Sequence, residues 1–118
     1  MLFRSFIGEV FPWWREVAEP ILKKEGIAGR ALVLPCVDHD ELLDYISNAD
    51  VGVIIYDNET RNNYLCEPGK LSDYVLAGVP VVAPRYPTIA PIIERFSIGK
   101  FFDSSDPRKI GDAINAAR

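Results

Sequence analysis

The stretch from Glu67 to Pro84, EPGKLSDYVLAGVPVVAP, admits few local structures. Pro68 and Gly69 suit the start of a helix. Gly78 suits its end, because glycine takes up the left-handed conformation that closes many helices without a Cβ penalty. Val79-Pro80-Val81-Val82-Ala83 then begins a buried strand. Lys70 and Asp73 stand one turn apart near the helix start. A loop, a helix start and a strand joined this way make a natural site for an anion, with a carboxylate beside it.

The same alternation runs along the chain. Phe3 to Ile7 reads as a short strand ending at Gly8. Pro12 suits the first position of a helix through Trp13, Trp14, Val17 and Ile21 toward Lys24. Pro20 inside it predicts a kink or break, and Gly26 and Gly29 end it. Ala31 to Leu34 is a second strand. Asp38 with Glu41 has the spacing of a capping box, ahead of a helix carrying Leu42, Leu43, Ile46 and Ala49. Val51 to Tyr56, VGVIIY, is continuously apolar, which predicts a strand covered on both faces. Residues 57–66 form a long polar loop, the kind of connection that often carries function. A helix over 88–96, a strand over 100–102 and a closing helix capped by Asp106 complete the chain, with Ile110, Ala113 and Ile114 on one face of the last. Strands alternating with helices predict an α/β fold with a parallel sheet, right-handed crossovers and ligands at the carboxyl ends of the strands.

Composition removes several function classes. The 118 residues are 48% hydrophobic and 25% charged, enough for one domain or part of one. A net charge of −4 argues against a nucleic-acid footprint. No apolar run approaches the ~20 residues of a membrane span, and no secretory signal is evident. Cys36 and Cys66 lie far apart, outside any metal-ligand spacing, and read as reduced thiols of a cytoplasmic protein. His39, the single histidine, follows Asp38 at a helix start and reads as a surface residue.

The chemistry concentrates in the first turn after Pro68. A helix start carries backbone N–H groups with no partner inside the helix. Leu65, Cys66 and Glu67 are poor N-caps, and Pro68 has no N–H. The donors of Gly69, Lys70 and Leu71 are therefore left for water or an anion, and Gly69 permits close approach. Lys70 opposes the helix dipole at a cost of about 0.3–1 kcal/mol, a sign that a bound phosphate would reverse. Asp73 either complements the dipole or accepts hydrogen bonds from the vicinal hydroxyls of a ribose. Leu71, Tyr74 and Val75 are expected to face the core. Asn62, Asn63 and Tyr64 either reach sugar hydroxyls or serve ordinary turn chemistry. Glu67 either contacts a donor sugar or is a solvated carboxylate. Asp57 and Glu59 either form an acid–base pair or are solvated charge. The guest that fits this set is a nucleotide diphosphate-sugar.

These segments resemble the donor-binding half of GT-B-fold retaining glycosyltransferases of the "group 1" type. That family carries a stretch like "aDvgviPy", then a loop, then "P-x-K-l-x-E-Y-x-a-x-G-x-P-V-V". This chain has Ala49-Asp50-Val51-Gly52-Val53-Ile54-Ile55-Tyr56, then Pro68-Gly69-Lys70-Leu71-Ser72-Asp73-Tyr74-Val75-Leu76-Ala77-Gly78-Val79-Pro80-Val81-Val82. Ala31 to Pro35 with Glu41 to Ile46 is similar to the family's upstream strand and "el..yi" helix, and Gly99 to Pro107 resembles its "G-x-x-f-d-x-x-d-P" ending. The resemblance implies a Rossmann-like parallel sheet with flanking helices, a partial C-terminal GT-B domain over residues 1–118. It implies metal-independent transfer from a donor such as a UDP- or GDP-sugar, with no cofactor. Asp73 stands where the family's ribose-binding glutamate does, the turn at Gly69, Lys70 and Leu71 lies near the diphosphate, and the loop at Pro35 lies near the nucleobase. Asn63, Tyr64 and Glu67 complete the expected substrate contacts. Where many members carry another glutamate, this chain has Leu65.

The resemblance further implies truncation at both ends. The partner would be a missing N-terminal acceptor-binding domain, with peripheral membrane association open to the full enzyme and none with nucleic acid. The isolated 118 residues are expected to have no transferase activity. Two rivals come from other classes. One is a receiver-like signalling domain with Asp57 as phosphoacceptor, although Gly8-Glu9-Val10 lacks the acidic cluster such domains need. The other is a non-catalytic Rossmann-like nucleotide-binding or interaction module.

Overall fold

The computed structural model describes residues 4–7, 12–56, 58–103 and 106–118. The strand end expected at Gly8, the Gly8-Glu9-Val10 segment and the roles considered for Asp57 lie outside the described residues. The chain divides into two compact units, Met1–His39 and Asp40–Arg118.

In the first unit β1 (Arg4–Ile7) pairs in parallel with β2 (Ala31–Leu34), Phe6 opposite Val33. Between them the chain is helical from Pro12. It runs as a π-helix over Trp14–Ala18 and then as α1 (Glu19–Lys24). The kink expected at Pro20 takes the form of a change in helical register. Pro20 has no N–H, and its ring crowds the carbonyl of the preceding turn. A wider turn just ahead, in which the Glu19 N–H donates to the Trp14 carbonyl, accommodates it. The Phe6 and Trp14 rings meet at 4.8 Å between centroids. No described residue of this unit is buried, as expected for a two-stranded sheet with one helix.

The second unit contains α2 (His39–Ser47) apart from its first residue, then β3 (Gly52–Val53), α3 (Arg61–Leu65), α4 (Gly69–Ala77), β4 (Val81–Pro84), α5 (Ala90–Phe96), β5 (Gly99–Phe102) and α6 (Pro107–Ala117). The strands lie in the order β3-β4-β5, all parallel. The expected parallel sheet is thus organised as two sheets of parallel strands flanked by helices, an α/β arrangement compatible with a Rossmann-like fold.

All four residues of β4 are buried. Val81 and Ala83 join Ile54, Leu71, Ile89 and Ile93 in one cluster. Val82 faces the other way, onto Phe102 and Ala113, with Ile110 and Ile114 of α6 packed alongside. Side chains alternate across a strand, so an unbroken apolar run is satisfied only when both faces are covered. VGVIIY was expected to be a strand over 51–56 covered on both faces, but β3 is only Gly52–Val53 and the residues after it are not covered alike. Ile54 is buried, but Ile55 is 56% exposed. The difference is position, because β3 is an outer strand of its sheet and β4 the middle one.

Three chain reversals share one hydrogen-bond pattern. After α4, Gly78 is left-handed (φ 69°), its N–H donates to the Val75 carbonyl, and the Val79 N–H donates to Tyr74 at 3.0 Å. After α1, Gly26 (φ 70°) is flanked by the same bonds, to Lys23 and Leu22. After α5 the left-handed residue is Ser97 (φ 50°), with bonds to Glu94 and Ile93. These are Schellman closures, which satisfy carbonyls that a helix end leaves unpaired. Gly29, expected to help end the first helix, lies instead in a 3₁₀ turn over Ala28–Arg30. Gly99 serves a different need. A Cβ there would collide with the Val81 carbonyl, so only glycine lets β5 approach β4 at this register.

Among the described residues, no helix is long and apolar enough to cross a membrane. Two stability outcomes are expected in urea or thermal unfolding. Ser97→Gly stabilises by up to about 1 kcal/mol by relieving a side chain in left-handed space, while Gly78→Ala costs about as much. Gly99→Ala costs about 1–3 kcal/mol or more, the range for an overpacked contact whose opposing atoms are backbone.

Candidate functional site

The α4 start is built as its sequence suggests, with one difference. Pro68 is the N-cap, extended at φ −70° and ψ 134°, and no side chain caps the helix. Gly69 and Lys70 are exposed. The Leu71 N–H, however, donates to the Pro68 carbonyl at 3.0 Å, and the Leu71 side chain is buried. Of the three first-turn residues whose amides were expected to be left over, Gly69 and Lys70 are exposed and Leu71 has its amide paired. Leu71 serves the core, tucking the helix start against the sheet.

Lys70 places its Nζ over the Tyr56 ring, 5.8 Å from the centroid. Tyr56 lies just beyond β3, two residues after Ile54, whose N–H continues the pairing by donating to the Val82 carbonyl at 2.9 Å. The helix start thus lies at the carboxyl end of β3. An exposed cation–π contact contributes about 0.5–1 kcal/mol, close to the about 0.3–1 kcal/mol that a first-turn cation loses to the helix dipole. The two effects nearly cancel. A negatively charged guest at this helix start would be attracted by both the lysine and the dipole.

Asp73, one turn further on, is half-buried. Beside it the Tyr74 ring lies over Gly52, where any Cβ would strike it, and the Tyr74 hydroxyl reaches the Val53 carbonyl at 3.4 Å. The Tyr74 phenol is pushed above its ordinary value of 10.0, chiefly because burial penalises the phenolate. The Asp73 carboxylate and Tyr56 push in the same direction. Val75, expected to face the core with Leu71 and Tyr74, is 41% exposed.

The stretch expected to be an uninterrupted loop over 57–66 contains α3. Thr60 caps it, its hydroxyl oxygen accepting the Asn63 N–H at 3.1 Å. Asn63 is half-buried, and Tyr64 is 41% exposed with its ring 5.2 Å from that of Tyr86. Glu67 is exposed on the link to α4. Pro35, in the first unit, is exposed just after β2.

Sequence reasoning missed Tyr86 and Thr88. The Tyr86 hydroxyl donates to the Tyr56 carbonyl at 2.6 Å, and the Thr88 hydroxyl donates to the Cys66 carbonyl at 2.6 Å. A signal existed. Four of the five tyrosines lie between Tyr56 and Tyr86, each in or beside a segment at the carboxyl side of β3 and β4 or on α4. Two other exposed features do not include Lys70. An open depression runs between the ends of α4 and α5 and the start of β5, lined by Gly78, Pro80, Ser97 and Lys100. Arg85 pairs with Glu94 and covers the Phe101 ring at 4.1 Å. Among the described residues, no three His, Cys, Asp or Glu side chains are grouped to hold a metal ion.

Raising the Tyr74 pKa in the folded state means that the native chain binds this proton more tightly than the unfolded one. The resulting stability is present below the ordinary tyrosine value and is lost as pH rises through the folded value. In urea unfolding between about pH 9 and pH 11, the wild type should lose stability more steeply than Tyr74→Phe. Equal slopes would place Tyr74 in contact with solvent.

No family model matches the chain, and neither a curated protein nor a solved structure does.

Proposed function

We propose that the second unit binds the nucleoside diphosphate of a nucleotide-sugar donor, and that the chain is the donor-binding half of a retaining GT-B-type glycosyltransferase. One observation carries most of the weight. The uncapped start of α4 is exposed at the carboxyl end of β3, with Lys70 held over Tyr56 and the half-buried Asp73 one turn behind. Ligands of open α/β sheets gather at that end of the strands, and a helix start supplies both outward N–H groups and a favourable dipole for phosphate.

In this proposal the Gly69 and Lys70 amides and the Lys70 ammonium take the diphosphate, and the Asp73 carboxylate accepts the ribose hydroxyls. A glycosyl donor reacts by losing its nucleoside diphosphate, on which negative charge grows as the sugar–oxygen bond breaks. Donors already aimed at that oxygen stabilise the departing group without reorganising. The protein's contribution is then positioning and charge stabilisation, with Glu67 and Tyr64 nearest in sequence to where the sugar would lie.

Titrating UDP, GDP and ADP against the chain, with amide shifts as readout, should move Gly69 and Lys70 first. Lys70→Ala should weaken the best nucleotide about tenfold while leaving stability equal or slightly raised, since it removes a first-turn cation. Asp73→Asn should weaken binding more than it alters unfolding. Silence toward all three nucleotides, or equal affinity in wild type and both variants, would remove the proposal.

A further inference from the structure

The segment Thr60–Glu67 is attached to the second unit in an unusual way. Three of its backbone N–H groups bond within the segment: Asn63 N–H to the Thr60 hydroxyl oxygen at 3.1 Å, Tyr64 N–H to the Thr60 carbonyl at 3.2 Å, and Cys66 N–H to the Asn62 carbonyl at 2.8 Å. No residue of α3 is buried, and Tyr64 and Leu65 are 41% and 42% exposed. Immediately beyond the segment, Pro68 is buried and its carbonyl holds the Leu71 N–H. A lightly attached segment therefore runs straight into a fixed point.

Two of its ties come from a single turn, the residues between β4 and α5. Thr88 donates its hydroxyl to the Cys66 carbonyl at 2.6 Å, across 22 residues of sequence. Tyr86 presents its ring to Tyr64 at 5.2 Å and sends its hydroxyl to the Tyr56 carbonyl at 2.6 Å, across 30 residues. Tyr86 therefore braces the end of β3 and the strap-like segment at once. The turn itself is secured by buried neighbours, β4 on one side and Ile89 and Ala90 on the other.

We propose that Thr60–Glu67 is a strap that opens as a unit, and that Tyr86 and Thr88 are its latch. Segments with few buried side chains and mostly local bonds open at a fraction of the global unfolding free energy. Here the Thr88 hydroxyl and the Tyr86 ring contact, with that ring steadied by its hydroxyl bond to Tyr56, hold the opening equilibrium closed while the core around β4 stays intact. The latch goes beyond the donor-binding proposal, because it depends only on the protein's own bonds and stands or falls without any nucleotide.

Amide hydrogen exchange on the ligand-free 118-residue chain tests it. Thr88→Val keeps the volume and removes the hydroxyl. It should speed exchange at Asn63, Tyr64 and Cys66 by about three- to tenfold, the range for one lost hydrogen bond, and leave Val82 and Ile93 unchanged. Thr88→Ser should restore the protection. Tyr86→Phe removes only the bond to Tyr56, and Tyr86→Leu removes the ring contact as well, so the strap amides should exchange faster in the second than in the first. If Thr88→Val folds poorly, the Tyr86 pair carries the same comparison. Unchanged strap exchange, or equal acceleration at Val82 and Ile93, would overturn the latch.

Discussion

The second unit depends on the burial of β4 on both faces. Val81 and Ala83 belong to one apolar cluster and Val82 to the other, so a single four-residue strand joins α4 and α5 on one side to α6 on the other. Fully burying a Val or Ile side chain contributes roughly 1.5–3 kcal/mol, and Ile54, Ile89 and Ile93 add theirs on one face alone. Neighbouring strands then have little freedom. β5 must come close enough that only glycine fits at position 99, and β3 bonds through Gly52 and Ile54 to the Pro80 and Val82 carbonyls.

The same constraint decides where the helix starts and strand ends gather. Parallel strands place all their carboxyl ends at one rim, and the helices that follow begin there. β3 ends at Val53, Tyr56 follows it with Lys70 of the α4 start over its ring, and the turn leaving β4 sends the Tyr86 and Thr88 hydroxyls back to the Tyr56 and Cys66 carbonyls. The exposed Lys70 is nearly neutral for stability, whereas the groups beneath it are tightly satisfied. No described buried side-chain polar atom lacks a hydrogen-bond partner.

Chain reversal follows one physical solution three times. Gly26, Gly78 and Ser97 each adopt left-handed backbone so that the following amide can reach a carbonyl five residues back. Two of the three are glycine, as the cost of a Cβ in that conformation dictates. Ser97 keeps the geometry despite its side chain, because the buried Ile93 and the strand beginning at Gly99 define both ends of the reversal.

Local signals were enough for much of the fold. The Gly78 stop, the Asp106 cap whose Oδ1 accepts the Arg108 N–H at 2.9 Å, the interruption at Pro20 and the buried Val81–Ala83 run are all properties of residues acting on their neighbours. So are the uncapped start after Pro68 and the placement of Lys70 and Asp73 one turn apart. What neighbours alone could not decide depends on position within the sheet. The apolar run ending at Tyr56 has one exposed isoleucine because β3 lies at an edge, and Val75 is exposed although its spacing suited the core. Tyr86 and Thr88 found carbonyls 30 and 22 residues away, whereas the Leu71 amide's turn to Pro68 and the Thr60 cap of α3 are local bonds that the sequence reading overlooked. Sequence determines which groups are able to bond or be buried, but only the packed chain sets which partner each one meets, because those partners are brought together by strand order and not by spacing.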